Sequence, residues 1–507
     1  MRKAIQFTLI IIPVIILIIC TAIWPVYGFT ILAILIVTLG IYDISQRKHA
    51  VLRNFPVIGH MRFLLEMIGP ELHQYFVESD IDGKPIDRNH RTYVYVRAKG
   101  LDGTHPFGTE LEVDKANFKW MQHSIYPAQR LGDYPRVVVG GADCLQPYSA
   151  SLFNISAMSF GALSKNAVMA LNKGAKAGNF FHDTGEGGIS KYHLQGGDLV
   201  YEIGTGYFGC RTEDGHFSQE KYIVQAARPE VKMIEVKISQ GAKPGHGGVL
   251  PAAKNSVEIA EIRGVKPHTD VISPPGHNAF GDAAGLLAFV KRLRGHSGGK
   301  PVGFKLCIGS KQEFEDICIQ MVKTGTKPDF ITVDGAEGGT GAAPIDFSNY
   351  VGMPWEKALI YVVDTLRGYG LKEDIKVFTA TKIITSFDIF KALCIGADVC
   401  SSARGMMLAL GCIQALKCNT NQCPTGVTTH NPLLVRGLVV EDKWKRVKNY
   451  HHQTLDDFLE LFAASGCTAL GQLHRGLIYK QIGDTIKSYE EWYPSVKSGS
   501  LLLGKTT

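Results

Sequence analysis

Three cysteines, Cys412, Cys418 and Cys423, stand at C-x5-C-x4-C and are followed directly by Pro424. Soft thiolates spaced along one compact loop can converge on a single inorganic core, so the pattern points to an iron–sulfur cluster. Three thiolates with no evident fourth favour a three-iron cluster. Structural zinc usually draws on paired C-x2-4-C half-sites, which are absent here, although His430 is near enough in sequence to complete such a site. The plain alternative is that these cysteines are small buried apolar residues, as free cysteine often is. A second set of reactive residue types lies in glycine-rich segments. These are Met158-Ser159-Phe-Gly161, Thr184-Gly185-Glu186-Gly187-Gly188, Lys237 through Gln240 and Lys243 to Gly248, and Asp334-Gly335-Ala-Glu337-Gly338-Gly339-Thr340-Gly341. Glycine-rich turns let backbone N–H groups point at phosphate oxygens, and lysines such as Lys237, Lys243 and Lys305 suit an anionic ring edge or a carboxylate. Taken singly, each has a structural reading: a turn, a lysine paired with a buried carboxylate, or Glu186 capping a helix.

The elements that would position these groups follow from Ser151 onward, where short apolar runs alternate with longer amphipathic segments. That alternation is the signature of βαβ units and a parallel sheet. Strands are expected near Phe153–Met158, Asn179–Asp183, Met233–Ile238, Asp270–Ser273, Val302–Leu306, Phe330–Val333, Lys376–Thr379 and Asp398–Ser401. Eight parallel units without a switch point predict an α/β fold, a (β/α)8 TIM barrel whose chemistry sits where strands end. Nearly every expected strand does end in glycine, serine or a polar group. A literal G-x-G-x-x-G at Gly204–Gly209 is followed by Cys-Arg-Thr-Glu-Asp-Gly, not a helix, and is no dinucleotide fingerprint.

The chain has 507 residues, more than one ordinary domain, yet barrels with insertions reach such lengths. With 45% hydrophobic and 20% charged residues it is foldable, and its 55 glycines cluster between apolar runs. A net charge of +7, spread along the chain, gives no nucleic-acid signature, and 11 cysteines without a dense framework indicate a reducing compartment. From Ile5 to Ile23 and from Tyr27 to Tyr42 the sequence is apolar, with Trp24-Pro25-Val26-Tyr27-Gly28 between. This predicts an N-terminal transmembrane hairpin within residues 1–47. Arg2 and Lys3 before it, and Arg47, Lys48 and His49 after it, place both ends and the catalytic mass in the cytoplasm by the positive-inside tendency. A cleaved signal peptide is the rival, weakened by the lack of a small-x-small cleavage site. Residues 48–150 mix an amphipathic pattern over Met61–Phe76 with β-branched alternation over Thr92–Arg97, and are expected to pack on the barrel. The barrel domain is expected over 151–482, including the cysteine loop 412–424, with a tail over 483–507.

Several of these segments together resemble the FMN-binding synthase domain of glutamate synthase. They are Asn154–Ser164, Thr184–Gly188, Gln240–Gly245, Ile272–Pro275, Asp334–Pro344 and Cys412–Val427, in family order. The resemblance covers about 151–432 and is similar in scope to short, stand-alone proteins of that family. It implies a barrel binding FMN, with a [3Fe–4S] cluster on Cys412, Cys418 and Cys423. It implies flavin contacts by Met158, Ser159, Thr184, Gln240 and Lys305, and a phosphate site at Gly338, Gly339, Ser402 and Ala403. Lys237, Gln240 and Lys243 correspond to the substrate-side group, and Glu186 to a glutamate near the ammonia entry. The implied reaction is reduction of 2-iminoglutarate, formed from 2-oxoglutarate and ammonia, to glutamate.

No N-terminal cysteine nucleophile of a glutaminase domain, no C-terminal glycine-repeat domain and no NADPH-binding domain is evident. Ammonia or another amine is therefore expected from solution or a separate glutaminase subunit, and electrons from ferredoxin or a similar carrier. Two further readings stand beside this one: an electron-transfer oxidoreductase acting on another keto, hydroxy or amino acid (or N-methylglutamate-type amine transfer), and a non-catalytic partner subunit.

Overall fold

In the computed structural model, the described residues are 11–19 and 27–503. They form two units, divided at Arg88/Asn89. In the first, a helix over Tyr27–Ser45 is long and apolar enough to cross a membrane. Of the other expected span, residues 11–19 are helical, and the remainder, with the connecting Trp24-Pro25-Val26, lies outside the described residues. The two-span hairpin therefore reduces to one complete apolar helix among the described residues. In the last turns of that helix, Asp43 accepts from the Val57 backbone N–H at 2.8 Å and pairs with His60 at 3.0 Å. The amphipathic pattern after it forms a helix over Gly59–Leu72, which widens into a π-helical turn at His73–Val77.

The second unit is built on a closed barrel of eight parallel strands. They are β1 (Phe153–Ile155), β2 (His182–Asp183), β3 (Leu199–Ile203), β4 (Val231–Lys237), β5 (Val302–Leu306), β6 (Phe330–Val333), β7 (Lys376–Thr379) and β8 (Val399–Ser402). Closure is made where Cys400 on β8 pairs with Phe153 on β1. The expected number and architecture hold, with one strand exchanged. Val271–Ile272 is not in the barrel but pairs antiparallel with Val249–Leu250, and the third place belongs to Leu199–Ile203. The β-branched run at Thr92–Arg97 is helical, within Arg88–Lys99, because Arg91, Val94 and Ala98 form a buried stripe at helical spacing.

Alternation along the strands sorts the interior into layers. Phe181, Val200, Met233, Phe330, Phe378 and Val399 fill the lower layer, closed from beneath by Val139, Tyr148 and Ala150 of the hairpin Arg136–Val139/Tyr148–Ser151. Two residues farther along the same strands stand Asp183, Glu202, Glu235 and Thr332, joined by Lys305 from β5. Outside the barrel the 25-residue helix Val440–Ala464 packs on the helix Lys165–Gly178, where Gly174 leaves room for Val447. A hairpin of Ile478–Ile482 and Thr485–Ser488 carries Lys119–Met121 on its other edge, so ordered pairing continues past residue 482.

Candidate active site

The loops at the C-terminal ends of the strands bring most of the expected residues together. Glu186, in the loop after β2, pairs with Lys237 at the end of β4 at 2.8 Å. Lys243, buried in the next loop, donates to the Ala342 carbonyl at 3.0 Å. Arg263 ends the helix Val257–Arg263 and turns into the same space, donating to Ser159 Oγ at 3.3 Å and to the Phe160 carbonyl at 3.1 Å, with its Nε buried and without a partner among the described residues. Three cations thus face one carboxylate. Burial pushes Glu186 up, but Lys237, Lys243 and Arg263 outweigh it and hold the carboxyl at about 2. Burial lowers Lys243 to about 8 and Arg263 to about 10, against the attraction of Glu186. His277 hydrogen-bonds the Lys237 carbonyl through Nε2 at 2.8 Å and Tyr207 through Nδ1 at 3.0 Å, and burial lowers it to about 4. The site thus holds two more cations than carboxylates, with the charge to offset a small dianion.

Met158 and Thr184 are buried where the loops after β1 and β2 touch. Thr184 accepts the Glu202 backbone N–H and donates to Gly185 O, each at 3.1 Å. Gly185 has φ +64, and a Cβ there would come within 2.5 Å of the Ser159 nitrogen, so the close approach of these two loops needs glycine. Gln240 is half-buried beside Gly241, whose N–H donates to Asp334 at 2.8 Å. Gly338 lies against Gly241, and Gly339 against Arg404, whose Nη2 donates to the Glu337 carbonyl at 2.7 Å. The ends of β6 and β8 are therefore joined, with Ala403 at the turn, and the backbone and guanidinium there fit a phosphate. Ser402 is buried, with its hydroxyl donating to Ile383 O at 2.6 Å.

Lys305 lies one layer deeper. Its ammonium pairs with Glu202 and, at 3.3 Å, with Glu235, and the carboxylate oxygens of Asp183, Glu202 and Glu235 all lie within 4.8 Å of one another. Burial raises Asp183 and takes Glu202 to about 7, while the three carboxylates outweigh burial to keep Lys305 charged. Lys305 is thus the counter-charge of a buried acidic layer directly beneath the Glu186–Lys237 pair.

Cys412, Cys418 and Cys423 lie on one loop, close enough that the charge of each bears on the others. Burial lifts Cys412 to about 12 and raises Cys418, whereas at Cys423 the neighbouring Thr425 and Thr428 hydroxyls outweigh burial. The buried Thr428 hydroxyl faces the thiols of Cys418 and Cys423 and favours the thiolate at both. Three convergent thiols beside a buried hydroxyl fit a thiolate-bound cluster. His430 donates from Nε2 to the Gly161 carbonyl at 2.8 Å, a bond that fixes its tautomer with the lone pair on Nδ1.

Arg263, His277, Arg404 and the acidic layer were not legible as site residues. Arg263 sits in an ordinary amphipathic helix, and Glu202 and Glu235 in strands whose membership of one barrel layer only the fold reveals.

Residues 143–468 match the family model described as the conserved region in glutamate synthase. The chain is 38% identical over 468 residues to the glutamate synthase large subunit-like protein YerD of Bacillus subtilis, covering 84% of this chain and 89% of that one. It is 34% identical over 321 residues to the archaeal glutamate synthase [NADPH] of Methanocaldococcus jannaschii, covering 63% of this chain and 60% of that one. To the glutamate synthase [NADPH] large chain of B. subtilis it is 31% identical, over only 20% of that protein's length. With the matched region spanning the whole barrel and the cysteine loop, the chain belongs to the glutamate synthase family.

Proposed function

We propose that this protein reductively aminates 2-oxoglutarate to glutamate with FMN and a [3Fe–4S] cluster. The observation that carries the reading is the cluster of Lys237, Lys243 and Arg263 around the single carboxylate of Glu186, which leaves two cations for the two carboxylates of a keto diacid. Arg263 offers a fixed donor fork and Lys243 a point charge, so the two ends of the substrate are held by different chemistry. Lys243, at about 8, is the group suited to protonate the departing carbonyl oxygen as the imine forms. Glu186, kept ionised, attracts ammonium to the same place. FMN, when bound, would supply the hydride, with its ring against Met158, Ser159, Thr184 and Gln240 and its phosphate at Gly338, Gly339, Ala403 and Arg404. Cys412, Cys418 and Cys423 would hold the cluster, which takes up single electrons.

Ferredoxin or a similar one-electron carrier is the proposed donor, since a cluster accepts electrons singly. The names of the archaeal and large-chain relatives specify NADPH, but the chain spans three fifths or less of those proteins. Ammonia comes from solution or from a separate glutaminase subunit. The apolar helix Tyr27–Ser45 supports a membrane anchor, and Arg47, Lys48 and His49 after it favour the barrel on the cytoplasmic side. The same helix favours one second reading, an oxidoreductase that passes electrons from another keto, hydroxy or amino acid to a membrane carrier. Detergent-purified, anaerobically reduced protein mixed with 2-oxoglutarate separates them. Return of the oxidised flavin absorbance only when ammonium is also present supports glutamate formation; a flavin that stays reduced with both present overturns it.

A further inference from the structure

Lys254 is a buried lysine outside every role assigned above. It ends the 3-10 turn Ala252–Lys254, and its ammonium donates to the Ala162 carbonyl at 2.6 Å and to the Cys418 carbonyl at 3.2 Å. An ammonium has three donors, and among the described residues these two carbonyls are its hydrogen-bond acceptors. It forms no ion pair with a carboxylate there, and the charged partners that bear on it favourably are the thiols of Cys418 and Cys423. Burying a lone ammonium is costly unless an anion offsets it, and thiolates carrying a cluster supply that anion. The surroundings are fixed by further contacts. Asn421 Nδ2 donates to the Ala253 carbonyl at 2.9 Å, its Oδ1 accepts the His430 N–H at 2.7 Å, and His430 reaches Gly161. The cysteine loop is thereby clamped both to the turn carrying Lys254 and to the loop that follows β1.

We infer that Lys254 is the charge partner of the cysteine-held cluster, raising its reduction potential, and that it fastens the cluster loop to the Gly161–Ala162 segment on the flavin side. The inference rests on the proposed cluster. A fixed positive charge in a dry setting stabilises the more electron-rich state, so one-electron uptake from an external reductant becomes easier. Ala162 belongs to the loop that carries Met158 and Ser159, so the ammonium lies between the cysteine loop and the site. Its role is positioning and electrostatic, not ligation.

The test is potentiometric titration with dithionite, followed by electron paramagnetic resonance, on full-length wild-type, Lys254→Gln and Lys254→Arg proteins, with iron content and melting temperature measured beside it. Lys254→Gln is expected to weaken reduction at least tenfold, a fall of about 59 mV for one electron, while Lys254→Arg stays near wild type. Loss of iron from Lys254→Gln but not from Lys254→Arg also supports the charge role. An unchanged potential in Lys254→Gln overturns it, as does equal loss of cluster and melting temperature in both variants, which marks mere packing. Wild-type protein without iron or signal sinks the cluster reading itself, a result distinct from an unshifted potential.

Discussion

Arg263 and Lys243 differ in what their removal should do. Arg263 is buried, and its guanidinium already serves Ser159 and Phe160, so Arg263→Met deletes a desolvated cation that a carboxylate substrate needs. Truncating one partner of a buried charge pair costs about 2–5 kcal/mol, so KM for 2-oxoglutarate, the proposed substrate, should rise by well over tenfold with a smaller change in kcat, measured by steady-state kinetics. Lys243 sets a pH limit instead. Its pKa is lowered by burial to about 8, so its charge is present below that pH and lost above it. Affinity for the substrate should therefore fall as pH rises through about 8, read as an alkaline limb in kcat/KM, and Lys243→Arg, which keeps the charge but cannot give up its proton, should remove that limb while lowering kcat.

At the level of elements, the site depends on strand ends meeting one another and on the layer below them. Gly185 lets the loop after β2 touch the loop after β1 in a left-handed conformation; Gly185→Ala adds a strained backbone and a Cβ at 2.5 Å from Ser159 N. About 1–2 kcal/mol of backbone strain plus displacement of the Ser159 loop should lower both melting temperature and flavin content, checked by calorimetry and absorbance. Lys305 supports the site from beneath. In Lys305→Ala, Asp183, Glu202 and Glu235 face one another uncompensated, and breaking a buried pair of this kind costs about 3–5 kcal/mol. A lower urea midpoint at neutral pH is expected, recovering in part as pH falls. The recovery follows from the sign of the shifts: Asp183 and Glu202 are raised in the folded state, so protonation relieves the repulsion.

At the scale of the molecule, the helix Tyr27–Ser45 leaves most of its apolar surface exposed within its own unit, a surface suited to the proposed membrane anchor. Full-length protein expressed in bacterial cells should stay with the membrane fraction through high-salt and alkaline carbonate washes, followed by immunoblotting. Release by carbonate would refute the anchor. Protease added to inside-out vesicles should digest the barrel unit, and protection there would refute its cytoplasmic placement.

Local pattern along the chain specifies much of this protein. Repeated apolar runs specify a barrel because each strand must bury both faces, and seven of the eight barrel strands overlap segments expected from that pattern. The cysteine spacing and glycine-rich strand ends are likewise local. Tertiary structure alone decided which segment filled the third place. Leu199-Val-Tyr-Glu-Ile carries a buried glutamate whose counter-charge, Lys305, lies about a hundred residues later in the chain. The same holds for Arg263, Lys254 and the Asp183–Glu202–Glu235 layer. Their chemistry arises from desolvation and from charges brought together across strands and loops, and neither can be read from neighbours along the chain.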